Sequence, residues 1–344
     1  MRGLFKLLME KAAREKIPLV CHFDLTYQCN LNCVHCYVIR EENRPELSTS
    51  EIKDILDQLA KVGTLYLTFS GGEIFTREDF FQIAEYARKL HFALRLLTNG
   101  TLIDEQVADR VAGLYPDLVS ISIYSTTAEI HDKITSVPGS LARTISAAKM
   151  LRDREMRLKI NTVLMRQNIN DYSKVYELAR SIGASFQADP RVTPKNDGDP
   201  FPLSFQSDED DLSRIWADHI FNSQSGEDLS DPHSNGSGDD IPCRAAHTVF
   251  YVSPYGDVSP CVQFPILCGN LRDDSFEEIW YHSPQMLEVR SVAISQLPVC
   301  SKCDLLEYCR TCPGLAFIEE GNFRAPSKRV CQEARIIRDT KLGG

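Results

Sequence analysis

Residues 22–38 read HFDLTYQCNLNCVHCYV, and how Cys29, Cys33 and Cys36 are understood decides what fold the chain carries. The three thiols come directly after a β-rich run, PLVCHFDL (18–25), where a strand would hand over to a loop. In parallel α/β sheets reaction centres gather at that end of the strands. Two thiolates in Cys-x-x-Cys suit any metal, whereas three leave one corner of a four-ligand site vacant. Cys21, on the strand itself, reads as a core residue. His22 and His35 are the other donors nearby, and His35 reads as a ring packed over whatever the cysteines hold. Structural zinc and an iron–sulfur cluster with an open position both remain compatible with the motif alone.

Outward from the motif, the chain alternates. Short β-rich runs occupy 18–25, 64–69, 92–98, 118–124, 158–164 and 184–189, with helix-like segments at 49–60, 78–90, 103–113, 140–152 and 171–182. The segment at 78–90 opens after Thr76, with Asp79 early in the turn, a cap followed by an acidic first turn. Asn99-Gly100 is a strong turn signal. Six such units predict an α/β fold, a partial (β/α)6 TIM-like barrel rather than a closed eightfold one, followed by a small cysteine-rich cluster-binding domain. The expected division is an N-terminal helix at 1–17, the partial barrel at 18–195, a linker or insertion with one helix at 196–242, and the cysteine-rich domain at 243–344. Within 196–242 lie the acidic run SDEDD (207–211) and the polar tract SGEDLSDPHSNGSGDD (225–240). The last domain begins with two short strands around Pro254–Gly256. Apart from a helix near 275–290 it shows little periodicity, so metal binding is expected to hold it together.

The formal net charge of −10 over 344 residues does not suit a nucleic-acid partner. No run of 18 apolar residues occurs, so no membrane span is expected. The basic, amphipathic start lacks a secretory signal's apolar core and points to a cytoplasmic protein. Twelve cysteines are too many for ordinary core thiols. Ten fall into groups: Cys29, Cys33, Cys36, then Cys243, Cys261, Cys300, Cys303, Cys309, Cys312 and Cys331. In a reducing compartment such groups read as metal or iron–sulfur ligands, with disulfides as the alternative.

CNLNCVHC resembles the CxxxCxφC motif of the radical S-adenosylmethionine enzymes, with His35 at the aromatic position. The resemblance implies that Cys29, Cys33 and Cys36 hold a [4Fe–4S] cluster whose fourth iron is chelated by S-adenosylmethionine. One electron from such a cluster cleaves the sulfonium and yields a 5′-deoxyadenosyl radical. SGGE (70–73) is similar to the family's GGE motif, which implies that Gly71, Gly72 and Glu73 hold the methionyl amine; the usual following proline is Ile74 here. LTNG (97–100) and ISIYS (121–125) resemble later strand-end motifs. They imply that Asn99 and Ser122 lie near the ribose and carboxylate, with Asn161 ending the fifth strand as a further cofactor candidate. Read alone, each is a polar residue at a strand end, equally suited to a turn or cap. Tyr124, Asp189 and Arg191, at or near strand ends, are the candidates for catalytic acid–base work. The resemblance covers about 18–190.

The second set of cysteines, with Gly256-DVSP-Cys261 and Cys300-SK-Cys303-DLLEY-Cys309-RT-Cys312, is similar to the SPASM domain of radical enzymes that modify peptides and proteins. CGNLRDDSFEEIW (268–280) matches text common there. The family pattern implies one auxiliary [4Fe–4S] cluster on Cys300, Cys303, Cys309 and Cys331. A second would sit on Cys243, Cys261 and Cys312, one ligand short. Cys268 is the cysteine available to complete it, and an open iron or a non-cysteine ligand are the alternatives. The chain has Cys-x-x-Cys at 309–312 where the family usually has Cys-x-x-x-Cys, so one or two auxiliary clusters are expected.

Auxiliary clusters suit reactions in which an electron must leave a substrate radical. The expected function is therefore oxidative modification, most concretely cross-linking, of a ribosomally made peptide. Formylglycine formation in a sulfatase and decarboxylation or side-chain removal on a tetrapyrrole are the alternatives within the same chemistry. A cluster protein that only transfers electrons is the alternative from another class, and it would need neither SGGE nor an open iron. The implied partners are a precursor peptide and a flavodoxin or ferredoxin type electron donor. About 17 residues precede the first strand, so leader recognition is expected to need a separate leader-binding protein or another surface.

Overall fold

The computed structural model describes residues 2–39, 43–223 and 241–342. The polar tract at 225–240, expected as a linker, lies outside them. Helix α1 (Arg2–Glu15) leads into strictly alternating elements. These are β1 (Val20–Thr26), α2 (Thr49–Lys61), β2 (Tyr66–Gly71), α3 (Phe80–Lys89), β3 (Ala93–Thr98), α4 (Glu105–Gly113) and β4 (Leu118–Ser122). Two helices, α5 (Ala128–Thr135) and α6 (Ser140–Asp153), precede β5 (Leu158–Val163), and α7 (Tyr172–Ser181) precedes β6 (Ser185–Asp189). Then come α8 (Glu209–Ala217), α9 (His219–Ser223), β7 (Val249–Val252), β8 (Asp257–Ser259) and β9 (Gly269–Asn270). The chain closes with α10 (Phe276–His282), α11 (Pro284–Arg290), α12 (Pro313–Glu320) and α13 (Lys328–Leu342).

The chain divides into two compact units, and β1 and β2 contribute residues to both. One unit, residues 24–42 and 68–225, carries the partial barrel, with strands ordered β6-β5-β4-β3-β2-β1. Strands β3 to β6 pair parallel throughout. Their register sets Ser122, Asn161 and Gln187 side by side in one row. Side chains alternate across a strand, so this row shares one face. On β5 the opposite face, Leu158, Ile160 and Thr162, is buried. The α/β partial-barrel fold expected from the sequence is the fold observed.

The other unit joins 1–23, 43–67 and 226–344. Here β7 pairs parallel to β1, with Val20 opposite Val249, and β8 and β9 follow antiparallel. Met9 and Ala12 of α1 pack on Leu19, Val20 and Val249, so the amphipathic N-terminal segment closes one side of this sheet. Trp280 stacks with Phe276 and donates its indole N–H to the Lys16 carbonyl at 2.6 Å. Arg44 makes two 2.6 Å bonds to Asp257, a bidentate pair that fixes the β8 turn. Among the described residues no helix is long and apolar enough to cross a membrane.

Three local expectations need correction. Thr76 does not open α3; it closes a short 3-10 turn, Ile74–Thr76. Asp79 is the residue before α3 but caps no backbone N–H, because Arg77 takes both its oxygens at 2.9 and 2.8 Å. The helix expected at 275–290 breaks into α10 and α11 at Ser283-Pro284, since Pro284 has no N–H to continue the ladder. The cysteine-rich region also holds more periodic structure than expected: α13 buries Val330, Ala334 and Ile337 at helical spacing.

Candidate active site

Hydrogen bonds from its own backbone amides hold the loop after β1. Gln28 N–H donates to Thr26 Oγ1 at 2.9 Å, and Cys36 N–H to the Cys33 carbonyl at 3.1 Å. Asn32 and Val34 donate to the carbonyls of Thr135 and Ile134, each at 3.0 Å. Those carbonyls are the last of α5 and would otherwise be orphaned at the helix end. Asn196 N–H donates to the Tyr37 carbonyl at 3.1 Å, tying the segment after β6 to the same loop. Burial, then the charges of Cys36 and Cys29, push the Cys33 thiol up to about 12. Three thiols close enough to repel as thiolates suit a group whose positive charge neutralises them. Among the described residues no three His, Cys, Asp or Glu form a single-ion site; a cubane, with one cysteine per iron, does not require one.

The second element of the site is the turn Gly71-Gly72-Glu73. A Cβ on Gly71 would overlap the Thr26 carbonyl oxygen, and one on Gly72 the Gln28 carbonyl oxygen. Gly71 also has φ of 130°, outside the range L side chains favour. Glycine here lets the end of β2 lie against the end of β1, with Gly72 N–H on Thr26 O at 2.7 Å and Glu73 N–H on Gln28 O at 2.8 Å. Glu73 is fully buried. It accepts from Thr98 Oγ1 at 2.7 Å, Asn99 N–H at 2.7 Å and Phe75 N–H at 3.3 Å. A carboxylate has about four lone-pair sites, so these three donors leave room for one more. Burial pushes its carboxyl up to about 7 despite those bonds.

Asn99 acts first as a turn residue, its side-chain oxygen accepting from Thr101 N–H at 2.8 Å and Thr101 Oγ1 at 2.6 Å. Its amide reaches Asn30 Oδ1 at 3.0 Å and Cys29 Sγ at 3.9 Å, so this residue does touch the cysteine loop. Ser122 ends β4, opposite Asn161 of β5. The Asn161 Oδ1 is buried with no hydrogen-bond partner among the described residues, as expected of an acceptor shaped for an incoming donor. Asp189 ends β6 and Arg191 follows it, with the Arg191 N–H donating to Asp189 Oδ1 at 2.9 Å. Tyr124 lies against the motif: its ring meets His35 edge-on at 4.8 Å and packs with Cys33. Burial, then the Cys33 charge, hold its hydroxyl protonated. Burial likewise keeps His35 neutral, down to about 4. Sequence reasoning missed Asn30, which donates to Thr101 Oγ1 at 2.8 Å, and Lys195, whose charge is felt at Cys36. Asn30 stands inside the motif, where its polarity was a usable signal; nothing local marks Lys195.

The later cysteines fall into two sets by their mutual interactions. Cys243 feels Cys312 and Cys261, and Cys261 feels Cys312. Burial pushes both the Cys243 and the Cys261 thiols up. Gly314 makes the third member possible, since a Cβ there would overlap the Gln263 carbonyl oxygen. Cys300, Cys303, Cys309 and Cys331 interact with one another. Cys268 is buried elsewhere, its thiol donating to Ile266 O at 3.6 Å beside Arg290 and Ser283. None of the twelve cysteines, all among the described residues, is disulfide-bonded.

The description "Radical SAM superfamily" matches residues 24–179, and "Iron-sulfur cluster-binding domain" (SPASM) matches 243–313. An AdoMet-dependent heme synthase of Methanosarcina barkeri is 30% identical over 325 residues, covering 88% of this chain and 92% of that protein. Mycofactocin maturase MftC of Mycolicibacterium smegmatis is 31% identical over 308 residues, covering 85% and 77%. In fold, the crystal structure of Streptococcus suis SuiB bound to precursor peptide SuiA is similar with a TM-score of 0.73 and 20% identity, covering 94% of this chain and 79% of that one.

Proposed function

The chain belongs to the radical S-adenosylmethionine superfamily and carries a SPASM region, and from that premise we propose that it oxidatively modifies a ribosomally made peptide, forming a cross-link. Its cofactors are S-adenosylmethionine and [4Fe–4S] clusters. When bound, they supply one-electron cleavage of the sulfonium and removal of a hydrogen atom from substrate. Cys29, Cys33 and Cys36 would hold the first cluster. The turn Gly71-Gly72-Glu73 would receive the methionyl amine, the remaining lone pair of Glu73 accepting one N–H. Asn99, Ser122 and Asn161 would face the ribose and carboxylate, the unpartnered Asn161 oxygen taking a hydroxyl.

The observation that carries the peptide reading is the likeness to a mycofactocin maturase across both regions of the chain. The SPASM cysteines support it physically: a cross-link requires an electron to leave the substrate after hydrogen abstraction, and three- and four-thiol groups suit acceptor clusters. The likeness to a heme synthase favours a second reading, removal of carboxylate side chains from a tetrapyrrole. A precursor peptide, a separate leader-binding protein and a flavodoxin or ferredoxin type donor are the partners we infer.

The test uses anaerobically reconstituted, reduced protein. It should release 5′-deoxyadenosine from S-adenosylmethionine, and Cys33→Ala should abolish release. A short peptide encoded beside this chain should lose two hydrogen atoms in mass per cross-link. Turnover of an iron tetrapyrrole with loss of carbon dioxide, and an unchanged peptide, would select the second reading. No 5′-deoxyadenosine from intact protein would remove both.

A further inference from the structure

We propose that Asn30, inside the cysteine motif, is a positioning residue whose side chain sets the spacing between the first cluster and Glu73, and with it the affinity for S-adenosylmethionine. This rests on the placement of that cluster at Cys29, Cys33 and Cys36 and of the methionyl amine at Glu73. The side chains of Asn30, Asn99 and Thr101 form a closed ring of hydrogen bonds. Asn30 Nδ2 donates to Thr101 Oγ1 at 2.8 Å, Thr101 Oγ1 donates to Asn99 Oδ1 at 2.6 Å, and Asn99 Nδ2 donates to Asn30 Oδ1 at 3.0 Å. The chemistry fixes the direction of each bond. Thr101 N–H, 2.8 Å from Asn99 Oδ1, requires an oxygen there. Asn99 therefore turns its nitrogen toward Asn30, which must answer with its oxygen. The Asn30 nitrogen is then left for the Thr101 hydroxyl. Bonds that run one way round a ring polarise one another and strengthen the set.

This ring closes a larger circuit through the ends of β1, β2 and β3. Glu73 N–H donates to the Gln28 carbonyl at 2.8 Å. Gln28, Cys29 and Asn30 follow one another in the chain, Asn30 holds the Asn99 amide, and Asn99 N–H returns to Glu73 Oε2 at 2.7 Å. Cys29 and the Glu73 carboxylate thus stand on one loop of bonds, and the link made by two side chains is the one from Asn30 to Asn99. On the β3 side Thr144 Oγ1 of α6 holds the Asn99 carbonyl at 2.8 Å, so Asn99 is a fixed post to which Asn30 ties the motif. The chain must present the open iron and the Glu73 lone pair together to one short amino-acid end. A ligand held at two points binds well only when those points keep the distance it spans.

The experiment is equilibrium dialysis of S-adenosylmethionine against the oxidised, anaerobically reconstituted full chain, which has no electron to cleave it. Asn30→Ala should raise the dissociation constant about tenfold at unchanged iron content. Thr101→Val keeps the shape and removes the hydroxyl, so it should do the same, and Thr101→Ser should bind as wild type does. The double variant of Asn30→Ala with Thr101→Val should bind no more weakly than the weaker single, because both break one ring. Unchanged binding in Asn30→Ala, losses that multiply in the double variant, or a Thr101→Ser as weak as Thr101→Val overturns the proposal. Loss of the first cluster's iron from Asn30→Ala overturns it too, since the ring would then support the loop and not the spacing. Asn30 is exposed, so its truncation does not endanger the fold, and it decides alone where Thr101→Val does not fold. Wild-type protein that binds no S-adenosylmethionine would instead remove the reading of the site beneath the proposal.

Discussion

At Glu73 one carboxylate joins three structural bonds to an expected ligand bond. Burial raises its carboxyl from about 4.5 to about 7. The folded chain therefore binds a proton there more tightly than the unfolded chain does, and stability from this group is full below about 4.5 and lost as pH rises through about 7. The linkage is at most on the order of 3 kcal/mol. His35 and His131, held down at about 4 by burial, act with the opposite sign between about 4 and 6.5. The quantity to read is thus the difference between wild type and Glu73→Gln. In thermal denaturation of the cluster-free protein, that difference should shift in favour of the variant as pH rises from 5 toward 7.5, within about 3 kcal/mol. A pH-independent difference would show that Glu73 is ionised throughout. The same sign predicts that an ammonium ligand binds more tightly above pH 7, where the carboxylate is charged.

Among elements, α5 does most to shape the motif loop. Its Ile134 and Thr135 carbonyls take the amides on either side of Cys33. The α5–α6 turn is in turn stapled by Asp132, which accepts from Gly139 N–H at 2.5 Å, Ser140 Oγ at 2.8 Å and Leu141 N–H at 3.0 Å. Asp132→Ala should destabilise the fold by about 1–3 kcal/mol and lower iron retention at Cys29, Cys33 and Cys36 while the other clusters stay filled. Denaturant titration and paramagnetic resonance would show this, and an unaffected first cluster would mean the loop holds itself. This element was not legible in the sequence. It is two turns long, and Thr127 before it makes no side-chain cap, so its helix comes from packing and not from a local signal. The strands were legible because their β-branched runs end in marked turns such as Asn99-Gly100. The glycine turn was legible too, since only glycine permits that approach to Thr26 and Gln28. Helix α13 carried a readable spacing at Val330, Ala334 and Ile337. Tyr124 was visible only as a polar residue near a strand end; its contact with Cys33 depends on α5 and on Asn168, far along the chain.

Over the whole molecule, ten cysteines sort into three groups, and the sorting predicts how iron is lost. Each group, if it holds a cubane, contributes about four irons, about twelve in all. Cys303→Ser and Cys243→Ser should each remove about four and abolish different spectroscopic signals, because Cys303 interacts with Cys331 and Cys300, whereas Cys243 interacts with Cys312 and Cys261. Cys268→Ser should leave the iron content unchanged, because that thiol is engaged with Ile266, Ser283 and Arg290 and with none of the other cysteines. Loss of about four irons in that variant would instead recruit Cys268 as the fourth ligand of the three-thiol group. The chemistry separates along the same lines. On the proposed assignment, generating 5′-deoxyadenosine would need only the cluster at Cys29, Cys33 and Cys36, so Cys303→Ser and Cys243→Ser should still release it. Completing an oxidation needs an electron acceptor, so both variants should uncouple release from formation of modified product. Product formed at the wild-type ratio to 5′-deoxyadenosine in both variants would show that the later cysteines hold the fold together and carry no electron.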